Sequence, residues 1–555
     1  MSSSHQVPQW LDQATFYEIY PQSFADSNAD GIGDIPGIIE HLDYLLQLGC
    51  NAIWLNPLYE SPFRDAGYDI SDYKKVAARY GTNDDLAALF AAAHARGMHV
   101  LLDLVPGHTS NEHPWFRQSA TDSPNLYDDR YIWTGNWIEG GDGLPFIGGE
   151  EARDGAYIVN FFAFQPALNY GFAHPRKGWQ APALGDEALR TCDAMLDVMR
   201  FWLDMGADGF RVDMADSLVK GDDEGKPYTI RTWQYMLGQI RGEYPEAAFV
   251  SEWGRPDEAF EAGFDMDFYL DWRWDGVANG YSMLLRDTDT PMLRDGDHSY
   301  FNADSGTSIV PFLGEYEPRL EAARKAHAYF DLITCNHDTM RLVPRLTTRE
   351  LALAYSTIFL MPGVPFIYYG DEIGMRYRNL PGKEGGYTRT GSRTPMQWDN
   401  SANHGFSQAA ADALYLPVDE REDAPTVAAA VADGNSLWHH MHAALEQRRS
   451  TPAFAPDADF SVLFAEEGRR PFVFKRAKDG VSAIVAVNPG RDGETVTLPD
   501  DDGSETRTIT LNIGGAVLDG TTLTLPPQSF AVLQCRSRAG VRSRPAGAPQ
   551  RWMKT

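Results

Sequence analysis

The chain has 555 residues, 43% of them hydrophobic and 12% aromatic, which is enough for several domains with substantial cores. Its 48 basic and 78 acidic residues give a formal net charge of −30, which argues against nucleic acid or an anionic membrane as a partner. Neither an apolar run of membrane-spanning length nor the basic and apolar regions of a signal peptide are visible, so we expect a cytoplasmic protein.

The first 104 residues alternate between strand-like and helix-like segments. Short apolar runs predict strands at 16–20, 51–56 and 100–104. Apolar residues at helical spacing between them predict helices at 38–48 and 86–95, each followed closely by a glycine. This alternation predicts βα units and a parallel sheet.

The alternation stops after the third strand and resumes later. Residues 105–176 are rich in Gly, Asp, Asn and aromatic residues, which predicts a long excursion from the sheet. An amphipathic helix at 189–205 restores the pattern, and from about 456 short apolar segments between turn residues predict an antiparallel β-domain. The predicted divisions are a main domain of 1–104 and 177–455, an insertion of 105–176, a β-domain of 456–537 and a disordered tail of 538–555.

Cysteine usage indicates neither a metal site nor a disulfide framework. The four cysteines are scattered without paired spacing, so we expect buried free thiols; they are Cys50, Cys192, Cys335 and Cys535.

Three short segments place a carboxylate directly after a strand-like run. The acids are Asp213, Glu252 and Asp338. Arg211 precedes Asp213 by two residues, so the two side chains point the same way on an extended strand. Singly, such acids are often structural ion pairs, helix caps or ordinary buried acids. Together they suit the cleavage of a glycosidic bond, which needs one carboxylate as nucleophile and one acid of raised pKa as proton donor.

Further motifs accompany these acids in a fixed order along residues 15–400. They are Asp103-Leu-Val-Pro-Gly-His108, Gly67-Tyr68-Asp69, Gln165-Pro-Ala-Leu-Asn169, Gly363 through Glu372, and Arg393-Thr-Pro-Met-Gln-Trp-Asp399. The ordered set resembles the α-amylase superfamily of glycoside hydrolases, family 13, in its oligo-1,6-glucosidase and α-glucosidase-like branch. The resemblance implies an α/β fold: a (β/α)8 TIM barrel with domain B inserted after strand 3 and a C-terminal antiparallel β-sandwich.

The resemblance also implies roles for individual residues. Asp213 would be the nucleophile and Glu252 the acid and base, while Arg211 keeps Asp213 ionised. Hydroxyl groups of the sugar would be bound by Asp338, His108 and His337, and Tyr68 would offer an apolar face. In this branch the acid of the Gly-Tyr-Asp segment and the arginine of the Arg-Thr-Pro segment grip the terminal sugar, which assigns a pocket-closing pair to Asp69 and Arg393. Arg389 is the nearby substitute for Arg393 if the register of the segment is shifted. The expected activity is that of a retaining, exo-acting α-glucosidase on short α-glucosides.

A loop after the first strand is the candidate metal site. Oxygen donors at alternate positions, with Gly31 allowing a tight turn, suit calcium, and the resemblance implies one structural Ca²⁺; the expected ligands are Asp26, Asn28, Asp30, Ile32 and Asp34. The alternative is a metal-free turn rich in Asp and Asn. Gly107 stands where the family's first motif usually has an asparagine, so a second calcium between barrel and domain B is not carried over.

Substrate choice stays open at the level of sequence. In this branch the residue after the nucleophile correlates with linkage, and Met214 matches neither linkage type. Ala167 replaces the acid that is usual in the Gln-Pro motif. A transglucosylase or a trehalose-synthase-like isomerase on the same scaffold is an alternative. A non-enzymatic subunit of a transporter is a remote one, since such relatives lack the acids and carry a membrane span. The partner expected is a small oligosaccharide or α-glucoside, with the oligomeric state left open.

Overall fold

A computed structural model of the protein describes residues 6–270, 279–288, 293–499 and 505–537. The predicted disordered tail, 538–555, lies outside these residues. Within the described part of the chain, no helix combines the length and apolar character needed to cross a membrane.

Eight parallel strands form a closed barrel. In chain order they are β1 (Phe16–Ile19), β2 (Ala52–Leu55), β3 (His99–Leu104), β4 (Gly209–Val212), β5 (Ala248–Ser251), β6 (Met266–Phe268), β7 (Tyr329–Asp331) and β8 (Phe366–Tyr368). Neighbouring strands pair in this order, and β8 pairs with β1, Phe16 opposite Phe366. A parallel bridge between Ile333 and Phe366 closes the remaining gap. The predicted barrel is confirmed, and the strand after Gly363 is its eighth.

Helices surround the barrel and fill the connections. The α-helices are Ile35–Glu40, Leu42–Leu48, Asn83–His94, Pro114–Ser119, Asp186–Met205, Pro227–Glu243, Pro256–Ala262, Gly280–Leu285, Val310–Ala326, Thr348–Leu360, Val427–Ala432 and Leu437–Ser450. Short 3-10 helices are Gln9–Gln13, Pro21–Ser23, Ala215–Ser217, Asp371–Ile373, Tyr387–Ser392, Ala402–Gly405, Ala411–Ala413 and Pro452–Phe454. The helix predicted at 38–48 is instead two helices that meet at His41, whose ring nitrogen Nδ1 lies 2.9 Å from the Gly37 carbonyl oxygen.

The connection between β3 and the helix Asp186–Met205 forms the inserted region. It contains the hairpin Phe146–Gly148 and Ala156–Ile158, and a second small hairpin, Tyr59–Glu60 with Asp72–Val76, follows β2. Both regions lie at the carboxyl ends of the barrel strands, where barrel enzymes carry their active sites.

The C-terminal part is a β-sandwich. Its strands are β9 (Asp459–Phe464), β10 (Phe472–Lys478), β11 (Val481–Asn488), β12 (Glu494–Thr497), β13 (Glu505–Ile513), β14 (Val517–Asp519), β15 (Thr522–Leu525) and β16 (Ser529–Ser537). They form antiparallel sheets of order β9-β10-β11-β16-β13 and β12-β15-β14, with an apolar core of their own. The antiparallel β-domain is confirmed, while the domain boundaries given above stay predictions.

The four cysteines are all buried and free, as predicted.

Candidate active site

One buried arginine contacts three carboxyl groups at the ends of β3, β4 and β5. Nη1 of Arg211 lies 2.9 Å from Asp103 Oδ1 and 3.0 Å from Asp213 Oδ1, and Nη2 lies 2.7 Å from Glu252 Oε2. Asp103 and Arg211 are register partners on adjacent parallel strands, so the barrel itself brings them together. One positive charge faces three acids, and at least one of these acids is therefore expected to hold a proton.

Burial raises the pKa of both Glu252 and Asp213. It raises the pKa of Glu252 to about 8, with nearby Asp213 and Asp338 adding to the effect and Arg211 offsetting part of it. Burial also raises the pKa of Asp213 to about 7, against the opposing charge of Arg211. The backbone N–H of Met214 donates to Glu252 Oε2 at 3.0 Å. Because both pKa values are raised and the two acids share one guanidinium, the pair can hold one proton between them, as a proton donor beside a nucleophile requires.

Asp338 is an anion held by two guanidinium groups. Its Oδ1 accepts hydrogen bonds from Arg389 Nη1 at 2.7 Å and Arg393 Nη2 at 3.0 Å, and its Oδ2 lies 3.5 Å from His337 Nε2. Burial opposes ionisation of Asp338, but the positive charges of Arg389, Arg393 and Arg211 outweigh burial and keep the pKa of its carboxyl well below the usual range.

The predicted pair of Asp69 and Arg393 is not formed, and that prediction was wrong. Asp69 is fully buried, and its carboxylate accepts the backbone N–H groups of Arg64 and Asp65, each at 3.0 Å. Arg393 instead binds Asp338 and donates through Nε to the His337 carbonyl oxygen at 2.9 Å. Asp69 therefore closes its own turn.

The turn reverses direction at two left-handed residues, Ala66 at φ 51° and Gly67 at φ 101°. Because of this reversal, the side chain of Asp69 points back into the loop and the side chain of Asp65 points toward the site. Asp65 Oδ1 lies 3.6 Å from Arg389 Nη2, and Asp65 Oδ2 accepts from Gln165 Nε2 at 2.7 Å. Arg389 consequently links Asp65 to Asp338, and these three side chains form one charged wall.

The predicted aromatic and histidine residues form a second cluster. The Tyr68 and His337 rings stack with centroids 5.3 Å apart, and the Tyr68 hydroxyl lies 3.0 Å from Asp103 Oδ2 and 2.6 Å from His337 Nε2. Nδ1 of His337 lies 2.8 Å from Glu18 Oε1. Burial lowers the pKa of His337 well below its usual value, so the imidazole is neutral. Both ring nitrogens of His337 already have partners within the protein.

His108 lies at the end of the segment that follows β3. Its Nε2 is 3.2 Å from the Tyr68 carbonyl oxygen and its Nδ1 is 3.2 Å from Asn160 Nδ2. Burial lowers the pKa of His108 to about 3, so this ring is neutral as well.

Sequence reasoning missed three residues of this site, which are Glu18, Asp65 and Asp103, and named Arg389 only as the substitute for Arg393. Asp103 opens a motif that was recognised, and its pairing with Arg211 follows once β3 and β4 are neighbours. Asp65 lies four residues before Asp69, and only the turn's backbone distinguishes them. Glu18 carries no motif, although a glutamate inside an apolar strand is itself a signal.

The candidate calcium loop is folded on its own Asp and Asn side chains. Asp26 Oδ2 accepts from the Gly31 N–H at 2.8 Å, Asn28 Oδ1 accepts from the Asp30 N–H at 2.9 Å, and Asp30 Oδ1 accepts from the Ile32 N–H at 2.9 Å. Asp34 caps the helix Ile35–Glu40 through Oδ1 and binds Ser27 through Oδ2. Within the described residues, no cluster of three or more His, Cys, Asp or Glu side chains is placed to hold a metal.

The comparisons with known proteins fit this geometry. Residues 18–457 match the family model described as alpha amylase, catalytic domain. The chain is 31% identical to an alpha-glucosidase from Pediococcus pentosaceus, over 86% of this chain and 91% of the relative. It is 30% identical to an oligo-1,6-glucosidase from Heyndrickxia coagulans, over 89% and 95% respectively.

Two further proteins broaden the comparison. A trehalose synthase/amylase from Mycobacterium tuberculosis is 32% identical, over 88% of this chain and 81% of the relative. The crystal structure of trehalose-6-phosphate hydrolase from Bacillus licheniformis superposes with a TM-score of 0.77 at 25% identity, covering 95% of this chain and all of that one.

Proposed function

The chain belongs to the α-amylase family and is a glycoside hydrolase, and on that premise we propose that it is a retaining, exo-acting α-glucosidase that acts on short α-glucosides. The observation that carries the proposal is the shared guanidinium of Arg211, which holds the carboxyl groups of Asp213 and Glu252 at 3.0 and 2.7 Å.

In the proposed reaction, an ionised Asp213 attacks the anomeric carbon as the bond to the leaving oxygen breaks. Glu252 gives its proton to that oxygen, and a covalent glycosyl-enzyme results. Glu252, now a carboxylate, then takes a proton from water, whose oxygen attacks the anomeric carbon and releases Asp213. Arg211 compensates the negative charge of whichever acid is ionised at each stage.

Exo-action is supported by the wall of Asp65, Arg389 and Asp338. Three charged groups linked across one side of the site oppose the passage of a sugar chain, and hydroxyl groups of one terminal glucose can accept from and donate to them. Gln165 holds Asp65 in place at 2.7 Å. We propose that the pocket therefore takes a single glucose unit from the non-reducing end.

The decisive experiment is a product analysis. Purified protein is incubated with maltose, isomaltose, sucrose, trehalose and p-nitrophenyl α-glucoside, and with a maltooligosaccharide blocked at its non-reducing end. Release of α-glucose from the unblocked substrates, with no internal cleavage of the blocked one, is expected. Internal cleavage would contradict the pocket, and inversion at the anomeric carbon would contradict the covalent step.

Isomerisation or glucosyl transfer is the second candidate, favoured by the similarity to trehalose synthase/amylase over 88% of this chain. Such an enzyme would share the covalent step and differ in what attacks the glycosyl-enzyme. In the same product analysis, conversion of maltose to another disaccharide of equal mass identifies isomerisation, and a trisaccharide formed together with free glucose identifies transfer.

We also propose one structural calcium in the loop after β1. The donor set is all oxygen, with the Asp26, Asn28 and Asp30 side chains at alternate positions, as calcium prefers. The Ile32 carbonyl accepts no hydrogen bond from the part of the chain that the structure describes, so it is available as a ligand. Asp34 would contribute the oxygen that does not cap the helix. The cytoplasmic location is likewise proposed, on the sequence features given above.

A further inference from the structure

A lysine, an asparagine and a histidine form a line between the inserted region and the barrel. Lys220 Nζ donates to Asn160 Oδ1 at 2.8 Å, and Asn160 Nδ2 lies 3.2 Å from His108 Nδ1. Lys220 is only 9% exposed, and its Nζ also donates to the Ser217 carbonyl oxygen at 2.9 Å. Asn160 and His108 lie in the connection that follows β3, and Lys220 follows β4.

The line determines which nitrogen of His108 carries the proton. Because Asn160 Oδ1 accepts from Lys220, the amide presents its N–H to His108, and Nδ1 must be the acceptor. The proton is then on Nε2, which donates to the Tyr68 carbonyl oxygen at 3.2 Å. Burial, and to a lesser extent the charge of Lys220, disfavours the doubly protonated ring. The orientation of the Asn160 amide thus determines which hydrogen bond His108 makes to the loop that carries Tyr68.

Gly107 provides the space in which the amide lies. A Cβ atom on residue 107 would lie 2.7 Å from Asn160 Nδ2. Gly107 does not adopt a left-handed conformation, so the missing side chain matters for space and not for backbone freedom. This is the position at which the family's first motif usually has an asparagine. The amide of Asn160 therefore lies where a side chain on residue 107 would begin.

We propose that Asn160 is a positioning residue that works as a pair with Gly107, and that Lys220 orients its amide. The pair holds His108 in the Nε2–H form and thereby fixes the Tyr68 loop at the edge of the substrate pocket. This inference rests on the proposed function, because it assigns His108 and Tyr68 to the border of that pocket.

The first test exchanges the two positions. Asn160→Gly removes the amide, and Gly107→Asn displaces it. Each single change is expected to lower kcat/KM on p-nitrophenyl α-glucoside about tenfold or more, because small misplacements near the reacting groups are costly. The double variant returns an asparagine to the same space and is expected to recover to within about threefold of the parent. Losses that multiply in the double variant, or an Asn160→Gly enzyme of full activity, would overturn the proposal.

A second test reads the tautomer directly and does not depend on turnover. In Asn160→Asp the shape is kept and Lys220 retains a partner, but a carboxylate oxygen now faces His108 Nδ1. Long-range ¹H–¹⁵N spectra should show Nδ1 of His108 unprotonated in the parent and protonated in Asn160→Asp. The pH profile of kcat/KM for Asn160→Asp should also show a new acidic limb. A protonated Nδ1 in the parent would refute the inference. If the parent fails to cleave any α-glucoside, the proposed function fails separately, and the spectra still decide the positioning role.

Discussion

The protonation of Glu252 is expected to set the alkaline limit of activity. Burial raises its pKa to about 8, and the acid form is the active one, so kcat/KM should fall as the pH rises through about 8. The acid limb should follow the ionisation of Asp213, near 7, and the two apparent values belong to the coupled pair. The pH profile of kcat/KM on p-nitrophenyl α-glucoside measures both limbs.

Glu252→Gln tests whether the alkaline limb belongs to Glu252 or to Lys220. Lys220 also has a lowered pKa, to about 8, because it is buried, and its loss of charge could produce a similar limb. With an activated leaving group the Gln variant should keep measurable activity, since little protonation is needed, and lose the alkaline limb. An alkaline limb unchanged in that variant would assign it to Lys220 or another group.

Asp213→Asn should abolish turnover while the fold persists. An amide cannot form the glycosyl ester, so we expect a loss of at least about 1000-fold. Because Arg211 faces three acids, removing one negative charge relieves repulsion, and the unfolding temperature should stay level or rise. Initial rates and thermal unfolding of the same preparation test this, and near-normal rates would remove Asp213 from the role of nucleophile.

The predicted site residues that the structure brings into contact are those whose placement follows from strand geometry. Arg211 and Asp213 are two apart on a strand, and Glu252 ends the next one, so the barrel alone brings them together. Asp65 and Asp69 share a turn, and the reversal at Ala66 and Gly67 decides which one faces the pocket. That reversal depends on tertiary packing and has no periodic signal.

At the scale of elements, the charged wall can be tested by one substitution. Arg389→Ala removes the link between Asp65 and Asp338, and the lost charged hydrogen bonds, about 1.5–3 kcal/mol, correspond to roughly a 10- to 100-fold loss in kcat/KM for disaccharides. The opened pocket should also begin to accept the maltooligosaccharide with a blocked end. Chromatography of the products measures both effects.

Asp69→Asn is the matched control. It weakens the turn that Asp69 closes, so a lower unfolding temperature with an unchanged product pattern is expected. If Asp69→Asn instead altered the products while Arg389→Ala did not, the wall would have been assigned to the wrong residues.

The loop after β1 should couple calcium to stability. A bound ion present at 100 times its Kd stabilises the fold by about 2.7 kcal/mol, so chelation should lower the unfolding temperature. Asp30→Asn keeps an acceptor for the Ile32 N–H and removes one ligand charge. This variant should lose most of the calcium response while its chelated form unfolds like the chelated parent. Calorimetry with and without calcium measures the change in unfolding temperature. If calcium does not change the unfolding temperature of the parent, the loop is a metal-free turn.

The sequence predicts the order of helices and strands better than it predicts where each helix begins and ends. The segment 38–48 has continuous helical spacing, yet the structure breaks it at His41, where φ is −108° and the first helix ends. Apolar spacing reports which face is buried, and both short helices bury the same face. A break that preserves this face leaves the pattern unchanged.

For the molecule as a whole, buried arginines attach the β-sandwich to the barrel. Arg476 of β10 is fully buried and donates to the carbonyl oxygens of Leu360, Ala455 and Ala458. Arg476→Met fills most of the volume but leaves the Leu360 carbonyl without this donor, at about 1–3 kcal/mol. The Ala455 and Ala458 carbonyl oxygens keep the Ala458 N–H and Arg324 as donors. We expect thermal unfolding to shift down by several degrees and to split into two steps. A single unshifted transition would show that the arginine is dispensable for docking.

The pairing of β1 with β8 has a consequence for biosynthesis. Phe16 is opposite Phe366, so the first strand of the barrel meets its last neighbour only after some 350 further residues have been added. At 5–20 residues per second, that takes about 20–70 s on the ribosome. During this interval β1 presents an unpaired edge, the kind of surface on which nascent chains associate wrongly. The yield of active enzyme should therefore depend on how long β1 stays exposed on the ribosome and on whether a chaperone covers this strand. The stability of the finished barrel should affect the yield less.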